Sequence, residues 1–266
     1  MSIDVERQGR TLLITMNRPE SLNALDPEHL EALRAALREF RDDGSLRVAV
    51  LTGTGRAFST GGDLKNVAPP ARSFAAGYFA GREESVEAGV YTRALQIGEL
   101  GLTKPLIAAV NGFALGGGCE IALAADLRVA SSNASFGLPE ARRASVPGIG
   151  GVSLLLRAIP RAVAMKMILT GDRLDAETAL RYGLVSDVYE PDALLEEALK
   201  LARRVESSGP LAVQSIKVLS GRTQDLSLSQ SIELEQLLWG LLRDTEDRME
   251  GRAAFAERRE PNYQGR

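Results

Sequence analysis

Two glutamates in this sequence stand beside glycine-rich segments, where a carboxylate could transfer protons. Glu120 follows the glycine triplet 116–118 at the predicted start of a helix, and Glu140 follows Pro139 at the predicted start of another short helix. Taken alone, each is also typical of an ordinary first-turn glutamate, because the positive end of a helix favours negative charge. Glu120 lies between Cys119 and the apolar run IALAA, however. We therefore expect its carboxylate to be partly buried and to need hydrogen-bond partners.

Two glycine-rich loops each follow a predicted strand. Residues 53–63 read GTGRAFSTGGD after a strand at 47–52, and residues 111–120 read NGFALGGGCE after a strand at 106–110. Glycine lets a ligand approach the backbone closely. The second loop also places free N–H groups at a helix N-terminus, which favours bound negative charge. Neither loop matches a dinucleotide- or phosphate-binding motif, and each by itself is also compatible with a simple turn.

The rare residues narrow the chemistry further. The 266-residue chain has one cysteine and one histidine, which excludes an internal disulfide and a Cys/His metal cluster. A Ser-His-Asp mechanism could use only His29, which lies among charged residues in the first turn of a predicted helix and is interpreted as a surface or packing residue. Acid–base chemistry is then left mainly to carboxylates, lysines and tyrosines.

Composition and charge exclude several classes of protein. Hydrophobic residues make up 44% and charged residues 25% of the chain, as in ordinary globular proteins. A net charge of −3 argues against nucleic-acid binding, which needs a basic excess. No segment is apolar enough over the eighteen or so residues that a membrane span needs, and the N-terminus MSIDVERQGR is charged. We predict a cytoplasmic protein without a membrane segment.

The elements that must position the glutamates alternate between strands and helices. Strands are predicted at 3–7, 11–16, 127–130 and 134–136, and Asp26-Pro27 predicts a helix start with Leu30, Leu33, Leu37 and Phe40 on its buried face. Beyond residue 150 the pattern is mostly helical, with one late strand at 185–189. This order predicts an α/β fold of repeated β-turn-β-helix units. The breaker SSGP at 207–210 suggests a core at 1–206 and a helical region at 207–266.

Six segments carry a resemblance to a known family. GRAFSTGGDLK, GFALGGGCEIALAADLRVA and FGLPEARRASVPGIGG occur in order, with LITMNRPESLNAL before them and LTGDRLDAETALRYGLVSDV and FAERREPNYQGR after them. Over essentially the whole chain, this set resembles the crotonase family, the enoyl-CoA hydratase/isomerase superfamily. The resemblance implies an α/β spiral core of repeated ββα units, with a helical C-terminal region that packs against a neighbouring subunit. It also implies a homotrimer or a dimer of trimers.

The same resemblance implies the roles of individual residues. The family binds acyl-coenzyme A thioesters and holds the thioester enolate between two peptide N–H groups, which match Gly62 and Gly117. Two glutamates of its hydratase branch match Glu120, which positions and activates water, and Glu140, which gives a proton to Cα. Positions expected to contact the coenzyme or the substrate are Ala24, Gly62, Asp63, Leu64, Lys65, Gly117 and, from a neighbouring subunit, Arg258. No metal or separate cofactor is implied, since coenzyme A arrives as part of the substrate.

The function expected from this resemblance is an enoyl-CoA hydratase-type lyase of fatty-acid or related acyl-CoA degradation. A dehydratase for a specialised acyl-CoA, using the same glutamates in reverse, and an enoyl-CoA isomerase are the alternatives within the family. A non-catalytic acyl-CoA-binding protein is the alternative of a different class. The acyl-pocket wall is expected from residues 67–91 and 144–146, and Arg142 and Arg143 are candidates to influence a polar acyl group.

Overall fold

The computed structural model describes residues 3–63 and 100–266 of the chain. The described residues contain two β-sheets. The strands that form these sheets are β1 (Ile3–Gln8), β2 (Thr11–Met16), β3 (Val48–Gly53), β4 (Ala57–Ser59), β5 (Leu106–Val110), β6 (Phe113–Leu115), β7 (Leu127–Ser131), β8 (Ser135–Gly137), β9 (Arg173–Asp175) and β10 (Asp187–Tyr189). One sheet has the order β1-β2-β3-β5-β7-β10 and the other the order β4-β6-β8-β9.

The chain passes repeatedly from the larger sheet to the smaller one. Strands β3, β5 and β7 each lead to a short strand, β4, β6 or β8, in the second sheet. Neighbours within both series pair in parallel, while β1 with β2 and β8 with β9 pair antiparallel. Each strand pair advances one position along both sheets, so the core winds as a spiral. The predicted α/β class with repeated strand-strand-helix units is confirmed.

Helices cover both faces of the larger sheet. The described helices are α1 (Pro27–Asp42), α2 (Gly117–Ala124), α3 (Gly151–Ala158), α4 (Arg161–Thr170), α5 (Ala176–Arg181), α6 (Leu194–Glu206), α7 (Pro210–Arg222), α8 (Leu228–Arg243) and α9 (Glu246–Glu257). Helix α1 contributes the buried residues Leu30, Leu33, Leu37 and Phe40 to one core, as its spacing predicted. Helix α6 covers the other face of the sheet with Leu194, Ala198 and Ala202.

The structure corrects the prediction within the glycine-rich segments. Residues 57–59 and 113–115, interpreted as loop, are the strands β4 and β6, and the late strand β9 was not predicted. Three-residue strands are too short to show alternating polarity, and their pairing with distant strands determines their conformation. The short helix expected at Glu140 is a 3-10 helix, Pro139–Arg143.

The C-terminal helices bury few side chains of their own. None of α7 is buried, and of α8 only Ser231 is. The tail beyond α9 folds back, because the N–H groups of Gln264 and Gly265 donate to the carboxylate of Asp247 at 2.6 and 2.8 Å. The division at residues 206 and 207 falls between α6 and α7 and stays a prediction. In the described ranges, no helix has the length and apolar character needed to cross a membrane.

Candidate active site

The two glycine-rich segments meet where β4 ends and α2 begins. A Cβ placed on Gly118 would lie 2.0 Å from the carbonyl oxygen of Ser59, and one placed on Gly61 would lie 2.5 Å from the backbone nitrogen of Gly117. Gly61 also has a φ of +77°, which L side chains rarely adopt. Glycine is therefore required on both sides of this contact. This contact brings the backbone of residues 59–62 against the first turn of α2.

The peptide N–H groups of Gly62 and Gly117 have no hydrogen-bond partner among the residues that the structure describes. Gly62 forms a parallel bridge with Leu25, in which Leu25 N–H donates to Gly61 O (2.8 Å) and Asp63 N–H donates to Leu25 O (3.1 Å). Because the bridge uses the groups on either side of Gly62, its own N–H turns away from Leu25. The Gly117 N–H is the first of α2, at the positive end of the helix.

Side chains from the segment before α1 hold the first loop in place. Ser59 Oγ donates to Asn23 O at 2.8 Å and accepts from Gly61 N–H at 3.1 Å. Asn23 Nδ2 donates to Ala57 O at 2.7 Å, at the start of β4. Asp63 is buried and pairs with Arg18 at 3.3 Å. Asp63 thus braces the loop.

Glu120 is buried in the first turn of α2, with 3% of its surface exposed. Its Oε1 accepts backbone N–H groups from Ile149 at 2.9 Å and Gly151 at 2.8 Å. Burial raises the pKa of Glu120, and the backbone N–H groups of Ile149, Gly151 and Gly148 oppose that rise. The expectation that this carboxylate is buried and hydrogen-bonded is confirmed.

Glu140 approaches the same glycine triplet from the 3-10 helix. Its Oε1 lies 3.1 Å from the position of a Cβ on Gly116, and its Oε2 is buried without a hydrogen-bond partner in the described structure. Burial raises the pKa of Glu140, and the charge of Glu120 raises it further, while Arg143 lowers it. A buried carboxylate oxygen without a partner suits a group that exchanges a proton with a ligand.

The remaining predicted site residues fall in three places. Ala24 is buried next to Leu25, which forms the bridge to Gly62. Arg258 caps the C-terminal end of α9 with a φ of 55° and is exposed. Leu64, Lys65 and most of the expected acyl-pocket wall, residues 67–91, lie outside the described residues. Their predicted contacts with coenzyme A or the acyl group stay predictions.

The residues that position this site are not marked by any motif in the sequence. Arg18 and Asn23 belong to the noted segment LITMNRPESLNAL, but the segment gave no indication of their partners. Ile149 and Gly151 act through backbone N–H groups, which no side-chain pattern reveals. The detectable signal was Glu120 itself, whose apolar surroundings required donors from elsewhere in the chain.

Other candidate nucleophiles and ligands are occupied or buried. His29 Nδ1 contacts the carboxylate of Asp26, the N-cap of α1, so His29 belongs to the end of that helix. Cys119 is buried, and burial raises the pKa of its thiol to about 12, which disfavours the reactive thiolate. Residues 3–63 and 100–266 bring together no group of three or more His, Cys, Asp and Glu side chains able to hold a metal ion.

Comparisons with known proteins cover the whole chain. Residues 6–266 match the family model for enoyl-CoA hydratase/isomerase. The chain is 47% identical over 266 residues to (E)-benzylidenesuccinyl-CoA hydratase of Thauera aromatica, covering 100% of both chains. It is 42% identical to 2,3-dehydroadipyl-CoA hydratase of Escherichia coli K12, covering 98% of each. The crystal structure of enoyl-CoA hydratase from Bacillus anthracis superposes with a TM-score of 0.88 at 34% identity, covering 100% of both chains.

Proposed function

The chain belongs to the enoyl-CoA hydratase/isomerase family, whose members compared above are named as hydratases of CoA thioesters, and from this we propose that it adds water across the double bond of a 2-enoyl-CoA thioester. The observation that carries the proposal is the buried carboxylate of Glu120 together with the half-buried Glu140, whose Oε2 is buried. Both lie beside two peptide N–H groups that have no hydrogen-bond partner in the described residues. Binding alone would not require two carboxylates in this environment, because burying them costs free energy.

In this proposal the N–H groups of Gly62 and Gly117 bind the thioester oxygen. Addition of water at Cβ moves electron density through Cα to that oxygen, which becomes an enolate oxygen. Donors fixed before the reaction stabilise this charge without reorganisation, and one such donor typically contributes roughly 3 kcal/mol. The bracing by Ser59 and the glycine contact at Gly118 supports this role, since both keep the donors in place.

Glu120 and Glu140 divide the proton transfers. Glu120 is fixed through Oε1 by two N–H groups, so its other oxygen would orient water and accept a proton as the water oxygen bonds to Cβ. Glu140, whose raised pKa favours the protonated form, would donate a proton to Cα as the enolate collapses. Proton transfer from Glu120 back to Glu140 through product or solvent would balance the cycle. The same residues catalyse dehydration in reverse.

Coenzyme A would lie beside the first glycine-rich loop, residues 53–63. Ala24, Asp63, Leu64 and Lys65 are the proposed contacts or supports for the coenzyme, with Arg258 approaching from a neighbouring copy. Exposed apolar side chains on α7 to α9 support such an assembly: Ile216, Leu237, Trp239, Leu241, Met249 and Phe255 are all at least 60% exposed. A homotrimer or a dimer of trimers would cover part of this surface.

An enoyl-CoA isomerase would use part of the same site. An isomerase needs only one base that moves a proton between carbons, and the presence of a second carboxylate disfavours that simpler chemistry.

A substrate class follows from the relatives: benzylidenesuccinyl and 2,3-dehydroadipyl are acyl groups of dicarboxylic acids, as their names state. A 2-enoyl-CoA with a carboxylate on its acyl group is therefore the proposed substrate class.

Mass spectrometry of the products tests the proposal. Incubation with 2-enoyl-CoA thioesters should add the mass of one water, whereas an isomerase acting on 3-enoyl-CoA would leave the mass unchanged. Glu120→Gln and Glu140→Gln should each lower kcat by about 10²- to 10⁴-fold. Glu177→Gln serves as the control, because Glu177 is an exposed first-turn glutamate of α5. Wild-type turnover in both active-site variants would show that the two glutamates do not carry the reaction.

A further inference from the structure

Two adjacent arginines on the 3-10 helix have different surroundings. Arg142 Nε donates to the carbonyl oxygen of Thr170, and its Nη2 donates to Asp172 Oδ1 at 2.9 Å. Arg142 thereby packs across the C-terminal end of α4, where its side chain would collide with a Cβ on Gly171. The structure thus gives Arg142 a structural position rather than one toward the acyl group.

Arg143 lies on the same side of the 3-10 helix as Glu140. Residues three apart eclipse each other in a 3-10 helix, so the side chains at 140 and 143 leave it in the same direction. Arg143 is exposed and has no hydrogen-bond or ion-pair partner within the described part of the chain. Its charge reaches Glu140, since it lowers the pKa of that carboxyl group.

The segment that carries Arg143 also forms one wall of the site. Ala144 follows with a φ of 54°, and the turn is closed by Ser145 N–H donating to Glu140 O at 3.1 Å. The chain then supplies the N–H groups of Ile149 and Gly151 to Glu120. Arg143 therefore projects from the stretch that carries Glu140 and donates N–H groups to Glu120.

We propose that Arg143 is a specificity-determining residue that binds a carboxylate on the acyl part of the substrate. The proposal rests on the hydratase function above and names the residue that recognises its substrate class. A guanidinium presents a planar pair of N–H donors that matches a carboxylate, and it retains its charge when water is excluded. An exposed cation on the same side of the 3-10 helix as Glu140 can bind an anionic acyl group and offset its repulsion by the carboxylate of Glu120.

A matched pair of substrates tests this role. 2-Hexenoyl-CoA and 2-hexenedioyl-CoA have the same chain length and differ only in a terminal methyl or carboxylate. The wild type should have the higher kcat/KM for the carboxylate substrate. Arg143→Gln should lower the ratio of the two kcat/KM values by about 10- to 100-fold, the usual effect of losing a charged hydrogen bond. Arg143→Lys, which keeps the charge but loses the planar fork, should lower the ratio less.

Arg142→Gln is the matched control, and it should leave this ratio unchanged. Equal losses on both substrates in Arg143→Gln would overturn the proposal, because they would indicate a contact with the shared coenzyme A phosphates or an effect through Glu140 alone. Wild-type kcat/KM values of Arg143→Gln for both substrates would overturn it as well. Using a ratio removes any effect that the variant has on both substrates alike.

Binding of saturated analogues separates this inference from the catalytic proposal. Adipyl-CoA and hexanoyl-CoA cannot be hydrated, so calorimetric titration compares recognition alone. Tighter binding of adipyl-CoA that is lost in Arg143→Gln would support the role of Arg143 even if hydration of every enoyl-CoA failed. Equal affinity of the wild type for both analogues would overturn it even if hydration were observed.

Discussion

Arg18 Nη2 lies 3.3 Å from Asp63 Oδ2, which ties the segment before α1 to the loop that presents Gly62. The same guanidinium donates through Nη1 to Asp26 Oδ2 at 3.0 Å and to Ala24 O at 3.3 Å. Arg18 and Asp63 are 17% and 9% exposed at their side chains, so water screens the pair weakly. Arg18 therefore connects three points around the bridge between Leu25 and Gly62.

Removing Arg18 should damage both stability and catalysis. Arg18→Ala removes the guanidinium that pairs with Asp63 and Asp26, and breaking a buried pair in this way costs about 3–5 kcal/mol of unfolding free energy. A displaced Gly62 N–H should lower kcat more than it raises KM, because the enolate needs that donor more than the substrate does. Urea unfolding and steady-state kinetics provide the two measurements.

Arg142→Ala is the comparison for Arg18. Arg142 pairs with Asp172 where the two side chains are 58% and 47% exposed, so its loss should cost less than about 1 kcal/mol. Similar costs for the two variants, or an Arg18→Ala enzyme with wild-type kcat, would contradict the positioning role assigned to Arg18.

Gly118→Ala should separate the two loops of the site. The added Cβ would lie 2.0 Å from Ser59 O, a backbone atom that can move only with the loop. We expect a loss of kcat of about 10²-fold or more, as for removal of one oxyanion donor, together with a lower Tm. Gly221→Ala is the control, since nothing lies within 4 Å of its Cβ position in α7, and it should stabilise the helix by up to about 1 kcal/mol.

Local sequence signals predicted the strands and helices that have a recognisable N-cap, a regular apolar spacing or a continuous apolar run. Helix α1 begins after its Asp26 N-cap and buries the four apolar residues that its spacing indicated. Strand β5 has the predicted bounds, because a continuous apolar run of five residues is a strong signal for a buried parallel strand. These features depend on neighbours along the chain, and a single sequence contains them.

The supports of the site depend on contacts that a single sequence does not contain. Leu22 and Asn23 both have a φ of 54°, although leucine rarely adopts this conformation. Asn23 is held there by donating to Thr54 O at 2.9 Å and Ala57 O at 2.7 Å, more than thirty residues away. The sequence identified the glutamates and glycines, while the residues that orient them emerged only from the folded chain.

Glu140→Gln should raise the free energy of unfolding while it lowers kcat. Burial, with the charge of Glu120, raises the pKa of Glu140 above its value of about 4.3 in the unfolded chain. Below the unfolded value the carboxyl group is neutral in both states, and as pH rises through the raised folded value the native state must ionise it at a cost. The neutral amide avoids that cost.

The excess Tm of Glu140→Gln over the wild type should therefore grow with pH from about 4.3 and level off above the raised pKa. Thermal unfolding between pH 4 and pH 8 measures this difference. The control Glu177→Gln changes an exposed residue that pairs with Arg181. Its free energy of unfolding should stay within about 0.5 kcal/mol of the wild-type value at every pH. A Tm difference for Glu140→Gln that shrinks as pH rises would contradict the environment described for this carboxyl group.

Trp239 on α8 should lie at a contact between copies of the chain. Trp239 is 60% exposed, with Leu241 at 66% on the same helix and Phe255 at 88% on α9. Burying a large apolar side chain contributes about 1.5–3 kcal/mol, so Trp239→Arg should weaken an assembly that covers this surface. Light scattering after size exclusion should give a mass several times 28.5 kDa for the wild type and a lower mass for the variant.

Dissociation should also affect binding of the substrate if Arg258 reaches a neighbouring site. In that arrangement Trp239→Arg raises KM for the CoA thioester more than it lowers kcat, because Arg258 would contact the coenzyme and not the reacting carbons. Val5→Arg is the control, since Val5 is 43% exposed on the edge strand β1, remote in sequence from the C-terminal helices. A wild-type enzyme that is monomeric and fully active would show that the apolar surface of α8 and α9 is not needed for the site.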